Sequence, residues 1–191
     1  MVISNWEVYG FGDSVRAAKF PMSTEAGRET DEMTLGIKRL AQCEMGTGHD
    51  NWLCGIVVQF DVRASIKWWT EMERYHFADI VSSQSTMHRI TKFDLSSAYD
   101  THTDHRMIAI MKELQWEYEK NPSIENYLRL LYSNPCGMLL TARMTTNYRQ
   151  LKTIYRQRFC HKLPEWRTFC RWVKDDLPMS ELITGEENDK T

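Results

Sequence analysis

The run Met138-Leu-Leu-Thr-Ala-Arg-Met-Thr-Thr146 leads directly into Asn147-Tyr-Arg-Gln-Leu-Lys-Thr-Ile-Tyr-Arg-Gln-Arg158, and its period changes at the junction. Up to Thr146 apolar and polar residues alternate, the repeat of a half-buried strand. From Asn147 onward Leu151, Ile154 and Tyr155 recur at helical spacing and share an inward face. The same succession occurs earlier. Leu53 to Val62 reads as a strand, because Ile56, Val58, Phe60 and Val62 alternate and Val57 adds β-branching. Residues 64–76 read as a helix. Strands mixed with helices place the chain in the α/β or α+β class, with a mixed sheet and packed helices.

Outward from these pairs the pattern predicts further helices. Residues 31–44 carry Met33, Ile37, Leu40 and Ala41 on one stripe, and Gly46-Thr-Gly48 breaks the chain after them. Asp104 to Lys120 reads as an amphipathic helix with Met107, Ile110, Met111 and Leu114 as its core face. Ser123 caps a helix carrying Leu128 and Leu131, and Asn134-Pro-Cys-Gly137 is a turn. Pro164 opens a last helix with Trp166, Phe169, Cys170 and Val173 inward, and Pro178 stops it. From 77 to 100 the pattern is weak. No internal linker or repeat interrupts the chain, so residues 1–183 are expected to form a single domain and 184–191 a polar tail.

The chain has 191 residues, with 24 Lys plus Arg against 26 Asp plus Glu and a formal charge of −2. That balance argues against a nucleic-acid polymer bound through bulk positive charge, but leaves room for a local arginine site. No apolar run approaches the roughly 18 residues of a membrane span. The start, Met1-Val-Ile-Ser-Asn-Trp-Glu, has no signal-peptide pattern. Five scattered cysteines without a Cys-x-x-Cys fit a reduced, cytoplasmic setting. Neither a dinucleotide-binding glycine motif nor a Walker loop is present.

Three polar clusters carry candidate chemistry. Gly48-His49-Asp50-Asn51 precedes the first of the two strands read above. Turn formation explains its Gly, Asp and Asn, but does not require His49. Glu71, Arg74 and His76, followed by Ser82, Ser83, Ser85 and His88, form the second. Its plain reading is a Glu71–Arg74 surface ion pair three residues apart. The third runs from Asn147 and Arg149 through Lys152 and Arg156 to Arg158 and His161. It reads either as a solvated helix face or, with Arg129 from a separate segment, as guanidinium forks converging on a phosphate. In His102-Thr-Asp-His105 the spacing admits a metal pair, but Asp104 as a helix cap is the simpler role.

Taken in order, these clusters resemble the flavin-dependent thymidylate synthases. Asp13-Ser-Val-Arg-Ala-Ala-Lys19 is similar to that family's Ser-x-Val-x-Ala-Ala-Arg segment, and Gly48-His49-Asp50-Asn51 to its Gly-His-Glu-Thr/Ser segment. Arg74-Tyr75-His76 stands where the family carries Arg-His-Arg. Thr146-Asn147-Tyr148-Arg149-Gln150-Leu151, with Arg158 eleven residues after Asn147, is similar to its Thr-x-Asn-x-Arg-x-Leu run and later arginine. The resemblance implies reductive C5 methylation of deoxyuridylate (dUMP). Methylenetetrahydrofolate would supply the carbon, FAD the hydride, and NADPH the reduction of the flavin. It also implies a homotetramer with active sites at subunit interfaces.

By the same resemblance His49 sits against the flavin ring, and Asn51, His76, Asn147 and Arg149 hold FAD. Arg74, Arg129 and Arg158 hold the nucleotide and polarise its pyrimidine. Ser85 lies at the nucleotide, and Glu71 occupies a position usually held by glutamine. His49, Arg158 and Ser85 are the implied catalytic residues. A family histidine falls on His161 when one residue is deleted. The chain departs from the pattern after Arg74-Tyr75-His76. Seven residues later comes Gln84 where the family has serine, with Ser85 one further on, and Met87 replaces an arginine. That exchange makes a different pyrimidine monophosphate, a C5-hydroxymethyl product, or a catalytically silent flavin- and nucleotide-binding protein the alternatives to dUMP methylation.

Overall fold

The computed structural model describes residues 1–185. In chain order the elements are β1 (Val2–Tyr9), α1 (Phe11–Ala17), α2 (Leu35–Gln42), β2 (Val57–Ser65), α3 (Ile66–Met72), β3 (Asp79–Ser83) and α4 (Thr86–Arg89). Then follow α5 (His105–Lys120), α6 (Ile124–Tyr132), β4 (Leu139–Asn147), α7 (Tyr148–Arg158), α8 (Pro164–Asp175) and α9 (Glu181–Thr184). None of these helices is long and apolar enough to cross a membrane.

The sheet runs β1-β2-β4-β3, and every pairing is antiparallel. Of the two expected classes it is therefore α+β, and the parallel pairs of a mixed sheet are absent among the described residues. The β2–β4 ladder is continuous from Val57↔Asn147 to Ser65↔Leu139. Its inward residues Val58, Phe60, Val62, Ala64, Ala142 and Met144 are buried, as the alternation requires. Helices α3, α7 and α8 cover that face. Phe60 packs on Trp172 at a centroid distance of 4.8 Å, and Trp68 on Trp166 at 5.0 Å. A second cluster, of Ile90, Leu95, Met111, Leu114, Leu130 and Met138, lies between α5, α6 and the segment before them.

Several boundaries differ from the sequence reading for local reasons. Leu53 lies in a 3-10 turn over Asn51–Gly55, so the strand starts at Val57. Helix α3 starts at Ile66 because Ala64 and Ser65 still pair with Leu140 and Leu139, and the Ser65 hydroxyl caps the helix at the Trp68 N–H. On α2 only Ile37 and Ala41 are buried, with Thr34 as its cap. On α5 the buried residues are Met111 and Leu114, while Met107 and Ile110 are exposed. On α6 the buried leucine is Leu130, not Leu128 or Leu131. Asp104 caps α5, its carboxylate accepting from the Arg106 N–H. α8 is not the last helix, since α9 follows and buries Leu182 and Ile183. Thr184 ends α9 and Gly185 is its left-handed cap, so the tail expected from 184 begins inside structure. Residues 186–191 of that tail lie outside the described residues.

Candidate functional site

The sheet register decides what meets at one edge of the molecule. Asn147 ends β4 opposite Val57, which starts β2, so the His49–Ile56 segment lies beside the start of α7. The Tyr148 N–H donates to Ile56 O at 3.0 Å across that junction. Helix α3 leaves the far end of β2 and runs back along the sheet. It returns Arg74–Phe77 to the Asn147 end, where β3 begins with Asp79 opposite Thr145. The Thr146 hydroxyl fastens this return by donating to Phe77 O at 2.7 Å. All three sequence clusters thus send residues to the same edge.

At the first of these, Asp50 is buried to 1% exposure. Its Oδ2 accepts from Lys152 Nζ at 2.7 Å and its Oδ1 from Arg149 Nε at 3.2 Å. Burial pushes the Asp50 carboxyl upward, but Lys152 and Arg149 outweigh it and hold it below its ordinary value. Asn147 caps α7, its Oδ1 accepting from the Gln150 N–H at 2.9 Å, which leaves its amide N–H groups as donors. His49 and Asn51 are both exposed on either side of the fixed Asp50.

Along α7 the second centre forms around Arg158. Its Nη1 lies 3.1 Å from Glu71 Oε2 and 2.9 Å from His161 Nε2, and its Nε donates to the Tyr75 hydroxyl at 2.8 Å. The guanidinium lies over the Trp166 ring at 4.7 Å and near that of Tyr75 at 5.7 Å. Glu71 also accepts from Trp166 Nε1 at 2.9 Å and pairs with Lys67 at 3.0 Å. Burial raises the Glu71 carboxyl, but Lys67, Trp166 and Arg158 together lower it below its ordinary value. The expected Glu71–Arg74 pair is not formed. Glu71 turns to Lys67, one helical turn back, and to Arg158. Arg74 is exposed and has no hydrogen-bond or ion-pair partner among the described residues.

Two adjoining pockets join these centres. One, of about 240 Å³, is lined by Asn147, Arg149, Asp50 and Cys54. The other, of about 340 Å³, is lined by Arg74, His76, Gln157 and Arg158. Phe77, Gln150 and Thr153 belong to both, so the two form one groove along α7. Asn147, Arg149, Arg74, His76 and Arg158 therefore share a groove, and Glu71 supports it from behind Arg158. His49, Asn51, Gln84, Ser85 and Arg129 do not line it, although His49 and Asn51 flank Asp50, which does. Gln84 extends the edge of β3, its Oε1 accepting from the Thr141 N–H at 2.9 Å. Ser85 caps α4, and Arg129 pairs with Glu117 on α5 at 2.8 Å.

No protein-family model matches the sequence, and no curated protein matches it. Solved structures do match. The flavin-dependent thymidylate synthase of Helicobacter pylori, complexed with FAD and dUMP, aligns with a TM-score of 0.76 at 16% identity, covering 97% of this chain and 99% of that one. A second structure, of thymidylate synthase X from the same organism with FAD and dUMP, aligns with the same score and identity over 97% and 98%. The fold is that of the flavin-dependent thymidylate synthases.

Within this synthase fold the structure adds residues that the sequence reading passed over. Lys152, read as part of a solvated face, is buried to 1%. Its position carried the signal: Tyr148, Leu151, Lys152 and Tyr155 fall at i, i+3, i+4 and i+7 of α7, and all are buried. A lysine on the inward stripe needs a buried acceptor, and Asp50 is it. Of the four cations in that run only Arg156 stays exposed. Tyr75 and Trp166, which hold Arg158 by its Nε and its face, carried no separable signal, because aromatic residues at such spacing read as core.

Proposed function

We propose that the protein is a flavin-dependent enzyme that adds a one-carbon unit at C5 of a pyrimidine deoxynucleotide monophosphate such as dUMP. The observation that carries this reading is the continuous groove with Arg149 at one end and Arg74 and Arg158 at the other, in a fold whose solved relatives hold FAD and dUMP. The residues present fit both ligands. Arg149 engages Asp50 through Nε alone, so its terminal N–H groups have no partner among the described residues and can take a flavin nucleotide's phosphate or ring oxygen. Asn147 adds amide donors, His49 and Asn51 lie exposed on either side of Asp50 at that end, and His76 lines the adjoining pocket beside Arg74. Bound FAD would supply the hydride chemistry, with NADPH as its reductant and methylenetetrahydrofolate as the carbon donor.

At the other end Arg74, without a partner among the described residues, is the cation for the nucleotide phosphate. Arg158, half-neutralised by Glu71 and fixed between Tyr75 and Trp166, is suited to a neutral pyrimidine edge, where it stabilises charge that develops on a carbonyl. Gln84, Ser85 and Arg129 do not line the groove, and in a homo-oligomer, a tetramer in the family's manner, a second copy of the chain would bring them to it. The free cysteines support a reducing, cytoplasmic setting.

The test mixes FAD, methylenetetrahydrofolate and NADPH with each pyrimidine monophosphate in turn and weighs the products. A gain of a methyl or hydroxymethyl group on one nucleotide supports the reading and names the substrate. A second reading, a silent flavin- and nucleotide-binding protein, is favoured by the Glu71–Arg158 pair, which weakens the arginine's pull on a bound base. Transfer of isotope from the folate to any nucleotide rules it out, and FAD binding without transfer supports it.

A further inference from the structure

We infer that the buried Asp50–Lys152 pair is a positioning device for the Arg149 end of the groove; this rests on reading that end as the FAD site. Lys152 sits on α7 one turn after Arg149, and its ammonium has three protons. They meet three acceptors: Ala41 O at 2.7 Å, Cys43 O at 3.0 Å and Asp50 Oδ2 at 2.7 Å. Ala41 and Cys43 belong to the last turn and cap of α2, where helix carbonyls lack intrahelical partners. One side chain therefore ties the end of α2, the His49–Asn51 turn and α7 together.

The consequence falls on Arg149. A carboxylate with two open oxygens grips a guanidinium through two parallel bonds. Here the two cations take different oxygens, Lys152 bonding Oδ2 while Arg149 bonds Oδ1 through Nε alone. The arginine is held at its base while its terminal nitrogens stay available beside the pocket that it lines. Removing the ammonium leaves the buried Asp50 with Arg149 as its charged partner, which draws the arginine's terminal nitrogens from the groove onto both oxygens. It also unties the turn that carries His49 and Asn51. A buried ion pair is a weak source of stability, and an apolar pair of similar volume replaces it at little cost. The tether on Arg149 has no such replacement.

The experiment uses the full chain and two variants, Lys152→Met and the double variant Asp50→Asn/Lys152→Met, which leaves no buried charge uncompensated. FAD binding is titrated alone, and dUMP binding is titrated at saturating FAD. Both variants are expected to melt cooperatively, to lose FAD affinity by about tenfold or more, and to keep dUMP affinity within about twofold. Unchanged FAD affinity in the double variant overturns the inference. So does a parallel loss of both ligands, or the loss of a cooperative melt in both variants, because either makes the pair a general folding element. A parent protein that binds dUMP but not FAD removes the flavin reading itself, and the inference with it.

Discussion

Replacing Glu71 tests the network around Arg158. Its side chain is 15% exposed and accepts from Arg158, Trp166 and Lys67. The Lys67 pair is more than half exposed on the lysine side and contributes only about 0.3–0.5 kcal/mol. The Arg158 bond is charged on both sides and mostly shielded from solvent, and the Trp166 N–H is left without an acceptor when the carboxylate goes. Together these make Glu71→Leu cost about 3 kcal/mol, which lowers the melting temperature by roughly 6–12 °C in a chain of this size. Glu71→Gln keeps an acceptor for Trp166 and Arg158 but loses the charge, so about 1 kcal/mol is expected. The pH dependence has a definite sign. The folded Glu71 titrates below its ordinary 4.5, so its contribution is complete above that value. It is lost as pH falls through the lower folded value. Melting of the parent and both variants at pH 7 and again near pH 3.5 measures this. A parent–Gln difference that is as large at the acid pH, or a Leu variant that melts within about 1 °C of the parent at pH 7, refutes the network.

Arg158→Ala is expected to weaken dUMP binding by about tenfold or more, and an unchanged affinity in titration removes Arg158 from the site. Phe60→Ala empties the centre of the core beside Phe169 and Trp172, so a loss of about 3–5 kcal/mol is expected in urea unfolding. Gly10 has φ 72° and its missing Cβ would lie 2.5 Å from Gly55 O, so Gly10→Ala should cost about 1–3 kcal/mol in the same assay. A variant as stable as the parent means that the β1–α1 turn relaxes.

The elements that decide the fold were legible because they are half buried. β2 and β4 each present one apolar face, and α7 and α8 each present one stripe, so periodicity identifies them. β3 was missed because all its residues are exposed at the sheet edge, which erases the alternation on which a strand reading depends. β1 is likewise mostly exposed. The helix reading of 64–76 starts two residues early because a strand that runs straight into a helix leaves no turn between them. At the site, the Asn147–Arg158 run was legible as chemistry, yet its pairings were not. Glu71 and Arg74 are close in sequence, but Arg158, 87 residues away, takes the carboxylate. Pairing of that range depends on α3 running antiparallel to β2, which no local pattern records.

Arg149 and Arg158 share one device, and Arg74 departs from it. Each of the first two is held by a carboxylate that also engages a lysine, Asp50 with Lys152 and Glu71 with Lys67, and Glu71 takes the Trp166 N–H as well. A carboxylate so occupied fixes an arginine without enclosing it, and the ordering entropy of a long side chain is spent in folding rather than in binding. Arg74 is exposed and has no carboxylate partner among the described residues. The groove therefore holds a fixed guanidinium at each end, Arg149 and Arg158, with Arg74 beside the second. A chain with a formal charge of −2 thus gathers three arginines along one groove by local placement rather than by excess positive charge.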